Sequence, residues 1–341
     1  MAASEDRVAV LGFGSSGRRH VSLIRERLPE AEIFVLTSQD LAGDDLQHSK
    51  EILDLADFGP NLAVICGVAS GRLGAVRALP EELRAVMIEK PLATSLNDGR
   101  QVIQELNRRG ISAQVGYNLR FSPSLRVFRD YIRNQTLGEV FSVRVETGQY
   151  LPDWRPGRDY RTTASATADS GGGVLLELSH EIDYTRWIFG EIEWVSAWHG
   201  RQSDLQIDVE DTAYLTLGLR SGPAQRQIMC QMNLDFARRD RVRTVTAICS
   251  DGTLRWDGVA MTVEQWVPAE GRWKVCFAED ESSETTYARQ WDSFYSAAAA
   301  GSAAEVTLED GFAVLAVVED AHTSLGLQAR RVEASAGEFS K

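Results

Sequence analysis

The segment VAVLGFGSSGRRH constrains the fold most strongly, because it carries a G-x-G-x-x-G pattern between an apolar, strand-like run and a helical pattern. Gly12 permits a tight turn, Gly14 lets a pyrophosphate approach the backbone, and Gly17 lets the helix pack close to the strand. A methyltransferase-like site and a purely structural glycine turn are the alternatives. We predict a dinucleotide-binding turn made of Gly12, Phe13, Gly14, Ser15, Ser16 and Gly17.

Apolar and helical patterns alternate over the first third of the chain. Short apolar runs recur at residues 7–11, 33–36, 62–66, 85–88 and 113–116. Helical patterns fall between several of them, for example at 17–28 and 96–109. This alternation predicts an α/β domain over residues 1–120, in which a parallel sheet carries helices on both faces.

The pattern changes after about residue 120. A helical pattern at 122–134 precedes long alternating runs at 140–145, 213–219, 227–234, 242–248 and 261–267. Such runs are typical of an antiparallel sheet with one solvated face. Two further helical patterns follow at 286–300 and 308–325. We therefore expect an α+β domain over 121–330, followed by a loose tail over 331–341.

The predicted second strand ends in Thr37 and Ser38, where NAD-specific enzymes usually place an acidic residue that holds the ribose hydroxyls. The missing acid removes a charge repulsion against a 2′-phosphate, so the sequence favours NADP over NAD. Thr37 and Ser38 are predicted to contact the cofactor. Arg18 or Arg19 would reach the phosphate, or else both arginines merely solvate the first helix.

The formal net charge of −13 argues against nucleic acid and anionic membrane surfaces as partners. No apolar run approaches the length of a membrane span, and the four cysteines lack the spacing of a metal site. The first seven residues include two acids and no apolar core of signal-peptide length. We therefore expect a cytoplasmic protein with free thiols, and we predict no metal site.

The apolar run at 85–88 stops abruptly at Glu89, Lys90 and Pro91. A surface turn would explain this ending, but ligands also bind at the ends of strands in α/β sheets. The E-K-P motif follows a dinucleotide turn, and VGYNLRFSPSL and GGGVLLELSHEIDYTRWIFG follow it. In these features the chain resembles the glucose–fructose oxidoreductase, inositol dehydrogenase and rhizopine-catabolism (Gfo/Idh/MocA) family over residues 7–198.

The resemblance implies a Rossmann domain, then a domain with a large, open, mainly antiparallel sheet through which homodimers or homotetramers pack. It also implies NAD(P)-dependent hydride transfer between a nicotinamide cofactor and a hydroxyl or keto carbon of a sugar, sugar nucleotide or cyclitol. Lys90 matches the family lysine that reaches the substrate hydroxyl beside the nicotinamide, where an ammonium stabilises a developing alkoxide; the resemblance therefore implies that Lys90 contacts the cofactor as well as the substrate. Glu89 would hold the turn in place or help to form the edge of the cofactor site. A dinucleotide-binding sensor without turnover is the alternative, which the presence of Lys90 and His180 disfavours.

In the segment LLELSHEID, a helix would place Glu177, His180 and Asp183 near one face. A neutral imidazole at His180 can take the hydroxyl proton, and Asp183 or Glu177 is predicted to orient its ring. The alternative is a helix-capping or core histidine. Many relatives carry an aspartate where this chain has Leu176, so Glu177 substitutes for it or His180 acts alone. Arg72 aligns with a histidine of many relatives, and it is either a cation near the cofactor or substrate phosphate or a solvated arginine.

The loop GQYLPDWRPGRDYR (148–161) combines aromatic rings with guanidinium groups. Such a combination suits a sugar ring that carries a carboxylate or a phosphate, although a surface loop pinned by Trp154 is the alternative. The predicted substrate contacts are Lys90, His180, Tyr150, Trp154 and Arg158, together with Tyr117, Asn118 and Arg120 at the domain junction.

Overall fold

The computed structural model describes residues 6–41, 45–220, 227–278 and 284–324. The strands of the first sheet are β1 (Arg7–Leu11), β2 (Glu32–Leu36), β3 (Gln47–Ser49), β4 (Leu62–Ile65), β5 (Ala85–Ile88) and β6 (Ser112–Val115). They are parallel and lie in the order β3-β2-β1-β4-β5-β6. The order reverses between β1 and β4, and this reversal opens a crevice at the carboxyl ends of those strands. The predicted α/β class is confirmed.

Helices cover both faces of this sheet. They are α1 (Ser15–Arg27), α2 (Leu53–Phe58), α3 (Arg72–Ala78) and α4 (Leu96–Arg109). α4 begins after Ser95, whose hydroxyl accepts a hydrogen bond from the backbone N–H of Asp98 at 3.1 Å. It ends at Gly110, which adopts the left-handed conformation that favours glycine. These local signals explain why the sequence predicted the bounds of α4 correctly.

Within the ranges that the structure describes, the second sheet has eight strands and one parallel pair. Its strands are β7 (Val140–Gly148), β8 (Glu191–Gly200), β9 (Thr212–Arg220), β10 (Gln227–Asp235), β11 (Val242–Cys249), β12 (Gly252–Asp257), β13 (Thr262–Val267) and β14 (Arg272–Ala278). Their order is β14-β13-β12-β11-β7-β10-β9-β8, and only β7 and β10 pair in parallel. The mainly antiparallel class is therefore confirmed. The sequence did not predict β3, β8, β12 or β14; β8 and β14 form the edges and show no regular alternation of burial.

Five more helices belong to the described residues: α5 (Pro123–Arg133), α6 (Val174–Glu177), α7 (Ser179–Phe189), α8 (Glu284–Ala300) and α9 (Leu308–Thr323). Trp291 and Phe294 of α8 are buried against Val8 and Val10 of β1. The chain therefore returns to the first sheet after the second, although the predicted boundaries assign all residues from 121 to 330 to the second domain. The predicted tail over 331–341 lies outside the described residues.

Three further features bear on the expected class of protein. Among the described residues, no helix combines the length and the apolar character needed to cross a bilayer. The same residues contain no cluster of three or more histidine, cysteine or acidic side chains placed to hold a metal ion. Cys66, Cys230, Cys249 and Cys276 are all free thiols.

Candidate active site

A cavity of about 680 Å³ lies in the crevice of the first sheet and contains the predicted glycine-rich turn. Its walls include Gly12, Phe13, Gly14, Ser15, Ser16, Thr37, Ser38, Arg72, Glu89 and Lys90. The structure therefore brings these predicted cofactor residues to one site. Gly17 lies behind them, at the contact between α1 and β1.

The three glycines of the turn differ in the space that a side chain would have at each position. Gly12 has a φ of +99°, and a Cβ there would lie 2.6 Å from the backbone nitrogen of Gly67. A Cβ at Gly17 would lie 2.1 Å from the carbonyl oxygen of Gly12, so the close packing of α1 requires glycine. A Cβ at Gly14, by contrast, would meet no atom within 4 Å.

The open space at Gly14 faces the N-terminus of α1, which has neither a side-chain cap nor an acidic residue in its first turn. Its backbone N–H groups are therefore free to bind an anion, and the helix dipole favours negative charge there. The turn fits the pyrophosphate of a dinucleotide on these grounds.

The end of the cavity beside β2 contains no acidic side chain among the residues that line it there. Ser38 is exposed to the cavity, and the Thr37 hydroxyl accepts a hydrogen bond from the backbone N–H of Gln39 at 3.1 Å. Arg18 stacks on the ring of Phe13, with 4.3 Å between the guanidinium carbon and the ring centroid. Lys50 also lines this end, immediately after β3. Sequence reasoning missed Lys50 because it did not detect that three-residue strand.

The turn after β5 is tied to the first helix through a buried side-chain contact. His20 of α1 is fully buried, and its Nε2 lies 2.8 Å from Oε1 of Glu89. Burial opposes ionisation of Glu89, but His20, Arg72 and Lys90 hold the pKa of this carboxyl below its ordinary value. This contact agrees with the tethering role expected for Glu89, whereas His20 was not predicted.

Arg72 is only 3% exposed, and one of its terminal nitrogens (Nη1) donates to the carbonyl of Ile65 at 2.8 Å. The interpretation of Arg72 as a solvated arginine is therefore wrong. Its guanidinium is a buried cation in the wall of the dinucleotide cavity.

Lys90 lies where two cavities meet. Its Nζ donates hydrogen bonds to the backbone carbonyl and to Oε2 of Glu177, both at 2.9 Å. The other carboxylate oxygen of Glu177 accepts from the hydroxyl of Ser165 at 3.1 Å. Burial raises the pKa of Glu177, but Lys90 and Ser165 outweigh it and keep the carboxylate ionised. Glu177 thus contacts Lys90 directly, although Leu176 occupies the position of the family aspartate.

The predicted single helix through His180 is interrupted. α6 ends at Glu177, Leu178 has the non-helical angles φ −96° and ψ 29°, and α7 begins at Ser179. The interruption turns Glu177 towards Lys90, so Glu177 and His180 do not share one continuous helical face. Neither predicted carboxylate forms a hydrogen bond to the imidazole, and its Nδ1 is buried without a partner among the described residues.

Burial and two cations keep His180 neutral. Desolvation, followed by the charges of Lys90 and Arg243, lowers the pKa of the imidazole well below its ordinary value of 6.5. The ring packs edge-on against Tyr117, with 5.5 Å between the ring centroids. A neutral imidazole in a pocket is a suitable proton acceptor. Tyr117 is fully buried behind His180, so it supports the ring instead of facing a substrate.

The second cavity has a volume of about 250 Å³ and contains His180. Lys90 and Glu177 line this cavity as well as the dinucleotide cavity. Asn118 and Trp154, for which the sequence predicts substrate contacts, also line this pocket. Residues that the sequence did not predict for this pocket are Arg19, Thr147, Gln149, Arg241, Arg243, Glu284 and Tyr287. They come from α1, from the second sheet and from α8, and no local motif connects them.

Two predicted residues have a structural role instead. Arg120 binds both carboxylate oxygens of Asp183, at 2.9 and 2.6 Å, and also binds Asp310 at 3.0 Å. Arg120 and Asp183 are 3% and 1% exposed. The prediction that Asp183 orients His180 is therefore wrong, as is the substrate contact predicted for Arg120. The two residues join α7 and α9 to the junction segment through a buried ion pair.

The loop over 148–161 is divided between the two cavities. Trp154 lines the smaller pocket, whereas Arg158 lines the dinucleotide cavity. Tyr150 belongs to neither lining, and its ring is covered by the guanidinium of Arg239 at 3.5 Å. The predicted substrate contact of Tyr150 is therefore wrong in this structure, whereas that of Arg158 stays a prediction, because its cavity also contains Lys90 and Glu177.

Comparison with protein families identifies both halves of the chain. Residues 7–117 match an oxidoreductase family with an NAD-binding Rossmann fold, named GFO_IDH_MocA. Residues 125–255 match the GFO/IDH/MocA C-terminal domain. The two matches together cover well over half of the 341 residues.

Individual relatives agree with this assignment. The rhizopine catabolism protein MocA of Rhizobium meliloti is 21% identical, and the alignment covers 96% of this chain and 97% of the relative. Myo-inositol 2-dehydrogenase of Thermotoga maritima is 26% identical over 63% of this chain and 66% of the relative. The WlbA dehydrogenase of Bordetella pertussis, solved with NADH and UDP-GlcNAcA, shares the fold with a TM-score of 0.76. It is 20% identical, and the match covers 94% of this chain and 96% of that chain.

Proposed function

Since the chain belongs to the GFO/IDH/MocA family of NAD-binding oxidoreductases, we propose that it interconverts a hydroxyl and a keto group on a sugar, sugar nucleotide or cyclitol. One observation carries this proposal: Lys90 and Glu177 line both the dinucleotide cavity and the smaller polar pocket. A substrate carbon in the smaller pocket would therefore lie beside the cofactor. The inositol dehydrogenase among the relatives and the sugar nucleotide bound to WlbA support the same substrate class.

The bound cofactor would accept or donate the hydride, while side chains of the protein would accept or donate the hydroxyl proton. The ammonium of Lys90 would donate to the substrate oxygen and stabilise the negative charge that develops on it. Glu177 would aim that ammonium, since it accepts one of its hydrogen bonds. His180, which is neutral, would take the hydroxyl proton in the oxidative direction and return it in the reverse direction.

Cofactor preference is a separate proposal. We propose that Ser38 and Lys50 bind a 2′-phosphate, because an exposed hydroxyl and an exposed ammonium line the same end of the cavity. Ser38→Asp is expected to lower the affinity for NADP relative to NAD by about tenfold or more, because like charges would face each other. Lys50→Met should weaken NADP binding and leave NAD nearly unchanged. Calorimetric dissociation constants of both cofactors test this proposal; an unchanged ratio in both variants would contradict it.

The activity itself is tested by incubating the protein with NAD or NADP and a panel of aldoses, uronates, inositols and sugar nucleotides. Formation of reduced nicotinamide with at least one of them is expected. The alternative is a sensor that binds the dinucleotide without turnover. It would be favoured if the dinucleotide bound tightly and no compound of the panel reduced it.

We also propose a homodimer or homotetramer that packs through the second sheet. Trp194, Trp198, Tyr214 and Met229 are 38 to 51% exposed on one region of that sheet, where Trp198 pairs with Tyr214. Exposed apolar area of this kind is typical of an interaction surface. Sedimentation velocity should show an even number of subunits, and a monomer at micromolar concentration would contradict this assembly.

The four free thiols are consistent with a reducing compartment, and we propose the cytoplasm.

A further inference from the structure

The smaller pocket contains four cationic side chains, and three of them are paired with carboxylates. Lys90 binds Glu177, Arg19 binds Glu284 and Arg243 binds Glu181, each at 2.9 Å. The fourth is Arg241. Within the described part of the chain it has neither a hydrogen bond nor an ion pair.

Arg241 lies immediately before β11, and Arg243 is the second residue of that strand. Residues two apart in an extended segment project to the same side, and both side chains line the pocket. Burial, followed by the like charge of Arg243, lowers the pKa of the Arg241 guanidinium. An anion bound at this place would relieve that repulsion. The unpaired cation is notable in a chain whose formal net charge is −13.

The neighbouring residues suit a small polyhydroxylated ligand. Gln149 offers amide hydrogen-bonding groups, and Trp154 offers an aromatic face. A volume of about 250 Å³ is slightly smaller than that of most small-molecule sites. The pocket therefore matches one sugar ring with its substituents better than a long ligand.

We propose that Arg241 determines specificity by binding an anionic group of the substrate, a carboxylate or a phosphate, while Lys90 and His180 contact the reacting hydroxyl. This inference rests on the proposed function for the position of the reacting hydroxyl. Arg158, predicted for the anionic group from the sequence, lines the dinucleotide cavity instead. Terminal guanidinium nitrogens can donate two parallel hydrogen bonds to a carboxylate or a phosphate.

The test compares Arg241→Gln with Arg239→Gln in the full-length protein. Arg239 is a matched control, because it is also exposed, lies two residues away and stacks on Tyr150 outside the pocket. Calorimetry in the presence of reduced cofactor would measure dissociation constants for glucuronate, galacturonate and glucose 6-phosphate, and for glucose and galactose as neutral partners. The uronates and the phosphate ester distinguish the two possible anionic groups.

The wild-type protein and Arg239→Gln should bind at least one anion about 10- to 100-fold more tightly than its neutral partner. Arg241→Gln should lose that preference and change little in its affinity for the neutral sugar. Equal affinities for anion and neutral partner in the wild type, or an anion preference that survives in Arg241→Gln, would overturn the proposal. Turnover assays on the same samples separate the two claims. An anion that binds through Arg241 without redox change contradicts the proposed function alone, whereas turnover of neutral sugars without anion preference contradicts this inference alone.

Discussion

Gly14→Val is expected to abolish dinucleotide binding in a protein that remains folded. A Cβ at Gly14 would meet no protein atom within 4 Å, so the new side chain would occupy only the open space at the N-terminus of α1. That space is where a pyrophosphate would approach the backbone. The wild-type melting temperature should rise with cofactor, by mass action on the native state, and that rise should disappear in the variant.

Gly17→Val is the contrasting variant. Its Cβ would lie 2.1 Å from the carbonyl oxygen of Gly12, so α1 could not pack in its present position. This variant should be destabilised with or without cofactor. A Gly14→Val protein that kept its cofactor-dependent rise in melting temperature would show that the dinucleotide binds elsewhere.

The sequence predicted the features that depend on short segments. The bounds of β1, β5 and α4 agree with the expected runs, since apolar alternation, glycine and capping residues act over a few positions. The glycine turn and the E-K-P turn were found for the same reason. The two motifs follow β1 and β5, whose carboxyl ends lie at the same edge of the parallel sheet with β4 between them, so their convergence on one crevice follows from the topology.

The residues that line the smaller pocket could not be predicted from short segments of the sequence. Arg241 precedes β11 of the second sheet, Arg243 belongs to it, and Tyr287 lies in α8. Only tertiary packing brings these three residues near His180. Helical spacing favoured Asp183 as much as Glu177 as a partner of His180. In the structure the buried Arg120 binds the carboxylate of Asp183, and a pairing between such distant residues has no signature in local sequence. The break at Leu178 was not predicted either, and Glu177, the last residue before it, binds Lys90 from the distant turn after β5.

Lys90→Met and His180→Asn are each expected to reduce turnover by about 100-fold or more. The first removes a donor to the developing oxyanion, and the second removes the proton acceptor. Cofactor dissociation constants should change little, because neither residue belongs to the glycine turn that would bind the pyrophosphate. The double variant should lose less than the product of the two single losses, since both groups serve one transition state. Lys274→Met, on the exposed edge strand β14, is the control for loss of a lysine charge.

The pH dependence of the wild-type enzyme follows from the low pKa of His180. The base must be neutral to accept a proton, and burial together with Lys90 and Arg243 lowers the pKa of the imidazole well below 6.5. The acidic decline of kcat/KM in the oxidative direction should therefore lie below pH 6.5. A decline centred at or above that value would show that His180 is not held neutral by its surroundings.

The most direct test of a joint Lys90 and His180 centre is the turnover number of Lys90→Met on the best substrate, measured beside its NAD(H) and NADP(H) dissociation constants. We predict a loss of about 100-fold or more in turnover with cofactor affinities within a few-fold of wild type. Near-normal turnover in Lys90→Met would contradict the account, because the contact of Lys90 with Glu177 would then be only a structural link between the two cavities.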